Sequence, residues 1–162
     1  MVIARQPHGA KTRLGLAGLA LALGIGSASA GDSLYGIVTA VKSSDLITLD
    51  YGSGSYDIRI AGVVVPDDRA ASDEAAAFVS KLVVGKNVRL RFDGRTSDGE
   101  MVGRIFTDDP QLGILDVGLE TIRSGLAMPD AAYRGYVYGE MDRAVAEARQ
   151  SQRGIWGTAP KQ

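Results

Sequence analysis

The stretch from residue 56 to residue 67 constrains the fold most, because its pattern changes halfway along. From residue 56 to residue 61, large apolar and polar side chains alternate. A period of two predicts a β-strand that turns Ile58 and Ile60 to one side of a sheet and Arg59 to the other. The stretch therefore predicts a half-buried strand with one face available for charged groups.

The second half of the stretch breaks this alternation. Three consecutive valines, Val63 to Val65, are followed by Pro66, and two acidic residues, Asp67 and Asp68, come next. A proline donates no ladder hydrogen bond, so we expect the chain to leave the sheet here through a packed interior and to stop pairing. The acidic residues that are candidates for a functional site therefore lie where the strand ends.

The remaining chain alternates between strand-like and helix-like segments, with Gly, Ser and Asp in the turns between them. The predicted strands are 35–41, 46–51, 56–61, 87–92 and 101–107, and the predicted helices are 70–84, 114–124 and 140–152. Five strands with a helix after the third and two helices at the end are the order of an α+β fold, a five-stranded OB-type β-barrel with three helices. Residues 31–162 suit one such domain, with its core at about 35–156.

The first thirty residues have the composition of a secretory signal peptide. Basic residues precede an apolar run from Leu14 to Ile25, and Ala28, Ser29 and Ala30 form a small-residue cleavage signature. The alternative is a membrane anchor, but the run is shorter than the ~20 residues that span a bilayer. We predict export to the periplasm or the medium, and after cleavage a monomer that is not attached to a membrane.

Composition excludes several kinds of active site. Without Arg5, Lys11 and Arg13, the 18 basic residues fall to 15 against 19 acidic ones, a net charge of −4. That balance argues against tight non-specific binding of duplex nucleic acid, although it does not exclude a local basic groove. The only histidine, His8, lies in the predicted signal peptide, and the chain has no cysteine. Histidine or cysteine nucleophile sites, histidine-ligated zinc and disulfides are therefore excluded.

The whole pattern resembles the staphylococcal nuclease-like (thermonuclease) family. The central stretch has that family's arginine, apolar run, proline and acidic residue. The other matching segments follow in the family's order: Val41 to Leu49, Glu74 to Phe78, Val102 to Arg104, Ser124 to Ala127, Ala144 to Arg149, and Gly154 to Trp156. Each segment alone is unspecific, but together and in this order they indicate the family.

The resemblance implies a site for phosphodiester hydrolysis. In the family, a hairpin Asp and a second Asp bind calcium, an acidic residue after the proline positions a water, and two arginines grip the phosphate. Carried onto this sequence, the calcium ligand is Asp45, the water-positioning residue is Asp67, and the phosphate-binding residues are Arg59 and Arg104.

The sequence departs from this pattern at the second calcium ligand, where it has Val64. Valine supplies no oxygen, so calcium binding is expected to be weak or absent. Asp67 also stands where the family usually has the longer Glu, and a misplacement of about 1 Å can cost roughly 10²-fold in rate. Activity is therefore expected to be low.

Each candidate also has a plainer interpretation. Arg59 can be a solvated strand residue, Asp45 an Asx-turn residue, Arg104 an edge-strand charge and Asp67 a turn residue. Three tyrosines, Tyr133, Tyr136 and Tyr138, can either stack on bases or pack on the surface, and Trp156 is interpreted as a core plug.

Three functions follow, in order of preference. The first is a secreted nuclease-like domain with weak calcium-dependent hydrolysis of single-stranded DNA or RNA. The second is a catalytically inactive homologue that binds phosphate, nucleic acid or an acidic ligand through Arg59 and Arg104. The third, a structural or protein-binding OB domain, would be favoured if the two arginines lay far apart.

Overall fold

The computed structural model describes residues 33–133, 135 and 139–157. The predicted signal peptide, Tyr136, Tyr138 and the segment 158–162 lie outside these residues. Within the described ranges, no helix combines the length and the apolar character needed to cross a membrane.

The described residues form eight strands, three α-helices and one 3-10 turn. In chain order they are β1 (Ser33–Ser43), β2 (Leu46–Asp50), β3 (Ser55–Ile60), β4 (Val63–Val64), α1 (Arg69–Val83), β5 (Asn87–Arg95), β6 (Met101–Asp109), β7 (Gly113–Asp116), α2 (Val117–Arg123), β8 (Met128–Pro129), α3 (Glu140–Gln150) and the 3-10 turn Gly154–Trp156.

Five of these strands close into a barrel. The sheet has the order β3-β2-β1-β5-β6-β7, and a parallel pairing of β3 with β6 joins its ends and leaves β7 as an extension of β6. Closure removes the exposed edges that an open sheet would present. The predicted five-stranded OB-type barrel with three helices is confirmed.

The barrel interior is filled by the apolar residues of the alternating strands. Ile58 is fully buried and Ile60 is 3% exposed, as the pattern of the central stretch predicts. Helix α1 covers one opening of the barrel with Val79 and Val83. A second cluster joins α2 to α3 through Ile122 and Ala144, along with Leu119 and Ala127.

The sequence predicted that the chain would leave the sheet and stop pairing at the three valines, but two of them, Val63 and Val64, pair outside the barrel sheet. Val63 pairs with Pro129 and Val64 with Met128 in a two-stranded ribbon of β4 and β8. Val63 and Val65 pack against the second cluster, which leaves Val64 half exposed. A partner more than sixty residues away has no local signal, so this pairing could not be read from the proline.

The second helix also begins later than predicted. Residues 114 and 115 belong to β7, which pairs with β6, and the helix starts at Val117. Asp116 is its N-cap, since its Oδ1 accepts a hydrogen bond from the backbone N–H of Leu119 at 3.1 Å. A short apolar run before a helix fits either a strand or a helix, and the cap decides between them.

The described C-terminal residues contact the rest of the domain at Gly125. The backbone N–H of Ile155 donates to the Gly125 carbonyl at 2.9 Å, and a Cβ on Gly125 would lie 2.2 Å from the Arg153 carbonyl oxygen. Only glycine allows this approach. The Trp156 side chain is half-buried, and the Arg149 guanidinium lies 4.3 Å from the centroid of the Trp156 ring. Trp156 is therefore not the core plug that we expected.

Candidate functional site

Arg59 lies at the centre of a small ionic cluster on the outside of the barrel. Strand pairing sets Arg59 opposite Leu46, and the backbone N–H of Ile60 donates to the Asp45 carbonyl at 2.7 Å, which brings the β1–β2 turn beside the end of β3. The Nη1 atom of Arg59 donates to Oδ2 of Asp45. The predicted metal ligand and the predicted phosphate-binding arginine are therefore in direct contact.

A second carboxylate, Glu100, holds the other side of the same guanidinium. Nε and Nη2 of Arg59 donate to Oε2 of Glu100 at 3.0 and 2.7 Å. The hydrogen bond to Glu100 is the main cause that raises the pKa of Arg59, and Asp45 adds to it. Arg59 is thus a permanently charged and oriented side chain, and not the freely solvated strand residue of the plainer interpretation.

Asp45 uses both of its carboxylate oxygens. Its Oδ1 accepts a hydrogen bond from the Ser43 hydroxyl at 2.8 Å, and its Oδ2 accepts from Arg59. The side-chain bonds seen here are not the Asx-turn contacts to its own backbone that the plainer interpretation supposed. This carboxylate is fixed in place by two neighbours.

Asp45 and Asp67 line one cavity of about 460 Å³ at the end of the β1–β2 turn. Val64 lies in the same lining and is 50% exposed. Asp68 does not substitute for a missing ligand, because it is not in this lining and its Oδ1 accepts from the backbone N–H of Ala71 at 2.9 Å to cap α1. The position where the resembling family has a carboxylate is thus occupied by an apolar side chain that faces the cavity.

Arg104 is placed differently from the other three candidates. Its side chain is 8% exposed, and its Nε and Nη2 both lie 2.7 Å from Oδ2 of Asp116. Its Nη1 donates to the Gly135 carbonyl at 3.3 Å, and Glu140 lies 3.9 Å from its Nη2. Strand β6 has neighbours on both sides, so the edge-strand interpretation of Arg104 does not hold.

The structure therefore brings Asp45 into contact with Arg59 and into one cavity with Asp67, whereas neither Arg59 nor Arg104 belongs to the lining of that cavity. Arg104 lines a second cavity of about 350 Å³ with Phe106 and Asp116. Sequence reasoning missed Glu100, which accepts two hydrogen bonds from Arg59, and Asp116, which pairs with Arg104.

Comparison with known proteins decides the family. The family described as "Staphylococcal nuclease homologue" matches residues 45–158, well over half of the chain. The chain belongs to the staphylococcal nuclease family. A relative, the "Probable endonuclease LCL3" of Leptosphaeria maculans, is 31% identical over 110 residues, which cover 61% of this chain and 37% of the relative. The chain thus spans little more than a third of that protein's length.

Nuclease family members depend on calcium in general, so the oxygen donors of the first cavity can be judged against that ion. The cavity offers the carboxylates of Asp45 and Asp67 and the hydroxyls of Ser43, Ser44 and Ser72. Oxygen ligands are what calcium prefers, and these donors fit it in kind. Their number is small, because no group of three or more His, Cys, Asp or Glu residues able to hold a metal occurs among the described residues.

Tyr133 is the one tyrosine of the predicted stacking set that the structure describes. Its hydroxyl donates a hydrogen bond to Oδ2 of Asp93 on β5. Burial, and then the Asp93 carboxylate, raise the pKa of Tyr133 above its ordinary value. Its ring is half-buried, so Tyr133 is fixed as a neutral donor beside the barrel.

This raised pKa predicts a late step in an alkaline titration. The pKa of Tyr133 in the folded protein exceeds its unfolded value of about 10. The Tyr133–Asp93 bond therefore stabilises the fold fully below about pH 10, and this stabilisation is lost as the pH rises through the folded pKa. We expect Tyr133→Phe to remove one late-ionising tyrosine from the absorbance change at 295 nm. Equal late amplitudes in parent and variant would contradict the assignment.

Proposed function

We propose that the protein is a weak, calcium-dependent phosphodiesterase that acts on single-stranded DNA or RNA after export, as a monomer. One observation carries the proposal: Asp45 contacts Arg59 and shares a cavity with Asp67. A phosphodiester in that cavity would meet two carboxylates, and one of them, Asp45, is in contact with the charged donor Arg59. These are the groups that orient a water and balance charge on phosphoryl oxygens.

The charges of the cluster support a requirement for a cation. Arg59 is already shared by two carboxylates, Asp45 and Glu100, and Asp67 adds a third negative charge at the cavity. A phosphate that approaches this group without a cation meets a net negative field. The carboxylates of Asp45 and Asp67 would hold calcium, which when bound supplies positive charge beside the reacting phosphate.

Two side chains would then carry the chemistry that the protein itself supplies. Arg59 would donate from its guanidinium edge to a phosphoryl oxygen, while Glu100 keeps the planar group oriented. Asp67 would accept a hydrogen bond from the attacking water and direct it in line with the leaving oxygen. The short Asp67 side chain and the apolar Val64 both keep the expected rate low.

A second candidate function is binding without hydrolysis. It is favoured by Val64, which faces the cavity without offering an oxygen ligand, and by the burial of Arg104 against Asp116. A domain with these features would hold anionic ligands but would lack the metal site that cleavage needs.

A nuclease assay on single-stranded DNA with excess calcium, and again with chelator, tests the proposed function. We expect slow cleavage that chelator abolishes, and a further fall of about 10²-fold with Asp45→Asn, since this change removes a carboxylate from the cavity. Asp50→Asn is the matched control, because Asp50 is an exposed residue at the far end of β2 that bonds only the local backbone N–H of Gly52. Absence of cleavage at high protein concentration would leave the binding function.

A further inference from the structure

We propose that the outer face of β1, β5 and β6 binds a single strand of nucleic acid, at a surface separate from the cavity of Asp45 and Asp67. We name this surface the β5 face and define it by Tyr35, Ile37, Arg89, Arg91, Phe106 and Ile114. The proposal shares with the proposed function only the class of ligand, because binding at the β5 face needs neither calcium nor hydrolysis.

Strand register sets an arginine between two aromatic rings on this face. Tyr35 pairs with Arg89 across β1 and β5, and Arg89 pairs with Phe106 across β5 and β6. Paired residues on neighbouring antiparallel strands point to the same side of a sheet. The Arg89 guanidinium lies 4.4 Å from the centroid of the Phe106 ring. Tyr35, Arg89 and Phe106 thus form a row across three neighbouring strands, and the row spans two strand spacings, or about 10 Å.

The arginines of this row differ in their partners from those of the candidate site. Within the described part of the chain, Arg89 and Arg91 have no ion pair or hydrogen bond with a carboxylate, whereas Arg59 and Arg104 each have two carboxylates within 4 Å. Arg91 is exposed and follows Arg89 on the same side of β5. Two uncompensated positive charges in an acidic chain complement a phosphate backbone.

Large apolar side chains are exposed around these arginines. Tyr35 is 63% exposed, Ile37 51% and Ile114 68%. A cluster of exposed apolar groups on a soluble domain usually marks a binding surface. Aromatic rings beside arginines are the usual platform for single strands, because every base has a face that can stack on them.

Two adjoining cavities give the face a continuous groove. Each has a volume of about 350 Å³, and they share Arg89, Phe106 and Ile114. The first extends to Tyr35 and to the carboxylate of Asp108. The second extends to the buried Arg104–Asp116 pair, to the Arg123–Glu120 pair and to the carboxylate of Glu140. A strand that follows this groove would place a phosphate at Arg89 and a base on Tyr35, and it would reach Arg91, two residues farther along β5, only outside the lining of the two cavities. The carboxylates of Asp108 at one end and Glu140 at the other would repel phosphate and so limit the path.

The test is binding of a fluorescein-labelled single-stranded DNA, followed by anisotropy in chelator over a series of salt concentrations. We expect the double variant Arg89→Gln, Arg91→Gln to bind more weakly on any sequence, with a salt slope smaller by about 1.4, since each phosphate contact on a single strand contributes about 0.7. Tyr35→Ala should weaken binding about tenfold through loss of one stacked base.

Arg153→Gln is the control for the loss of one positive charge, because it removes that charge from an exposed residue beyond α3 and should leave affinity and slope unchanged. Melting temperatures close to the parent's would show that the variants are folded. The proposal is overturned if the parent does not bind in chelator, or if the double variant keeps the parent's affinity and slope.

A second outcome would also overturn it. If the parent sediments as a dimer that Ile114→Glu separates while DNA binding is unchanged, the β5 face is an interface between copies of the chain. Loss of cleavage in the nuclease assay with binding at the β5 face intact would count against the proposed function alone.

Discussion

Replacing Asp116 with alanine should lower the free energy of unfolding by about 3–5 kcal/mol, because it leaves the Arg104 charge buried without its main partner. The two side chains are 8% and 7% exposed and are joined by two 2.7 Å contacts. The same change removes the N-cap of α2, which is worth about 1 kcal/mol by itself. Urea unfolding followed by circular dichroism measures the loss.

An exposed ion pair of the same chemistry supplies the control. Lys42 and Asp57 lie 2.6 Å apart, but their side chains are 51% and 38% exposed. Exposed pairs contribute about 0–1 kcal/mol, so Asp57→Ala should cost far less than Asp116→Ala. The double variant Arg104→Met, Asp116→Leu should recover much of the loss, since it leaves no buried charge unpaired. Equal losses in Asp116→Ala and Asp57→Ala would show that the buried pair does not organise this part of the fold.

That result would also bear on how Arg104 takes part in function. An arginine that holds β6 to the start of α2 is committed to the fold, and a ligand phosphate would have to compete with Asp116 for its donors. Arg59 differs, because its side chain is 37% exposed and contacts Asp45, which lines the cavity. We therefore expect phosphate contacts at the candidate site to depend on Arg59 more than on Arg104.

The barrel could be predicted from the sequence because its signals are local. Alternation in β3 is reproduced by the burial of Ile58 and Ile60, and the helix after residue 68 begins where an Asp can cap it. The β4–β8 ribbon could not be predicted, because Val64 and Met128 are far apart in the chain and neither carries a turn signal.

The contacts of the candidate site also separate into those that local sequence signals predict and those that they do not. Asp45 directly precedes Leu46, and Leu46 pairs with Arg59, so the contact of Asp45 with Arg59 follows from the pairing of β2 with β3. Glu100 lies 41 residues beyond Arg59 in a turn whose sequence predicts only a reversal of the chain. Its role depends on the parallel pairing that closes the barrel, and no local pattern encodes that pairing.

Val64→Asp should convert the cavity into a tighter calcium site, because it restores the carboxylate that the nuclease family has at this position. Val64 is half exposed and lies in the lining with Asp45 and Asp67, so the new carboxylate would face the same space. Ligand charge is a main determinant of calcium affinity in proteins. We expect calcium-dependent cleavage to rise, and to rise further when Asp67→Glu is added, without a large change in metal affinity.

The melting temperature should report the calcium affinity gained by Val64→Asp independently of nuclease activity. In chelator, Val64→Asp should melt below the parent, since the added charge repels Asp45 and Asp67 and is partly desolvated. Calcium at a hundredfold excess over its Kd would add about 2.7 kcal/mol to the folded state, a rise of roughly 10 °C in melting temperature. Val84→Asp is the matched control, because Val84 is 45% exposed and lies outside the cavity. If Val64→Asp gains neither calcium-dependent stability nor cleavage over that control, Val64 does not occupy the place of a ligand and the cavity is not a metal site.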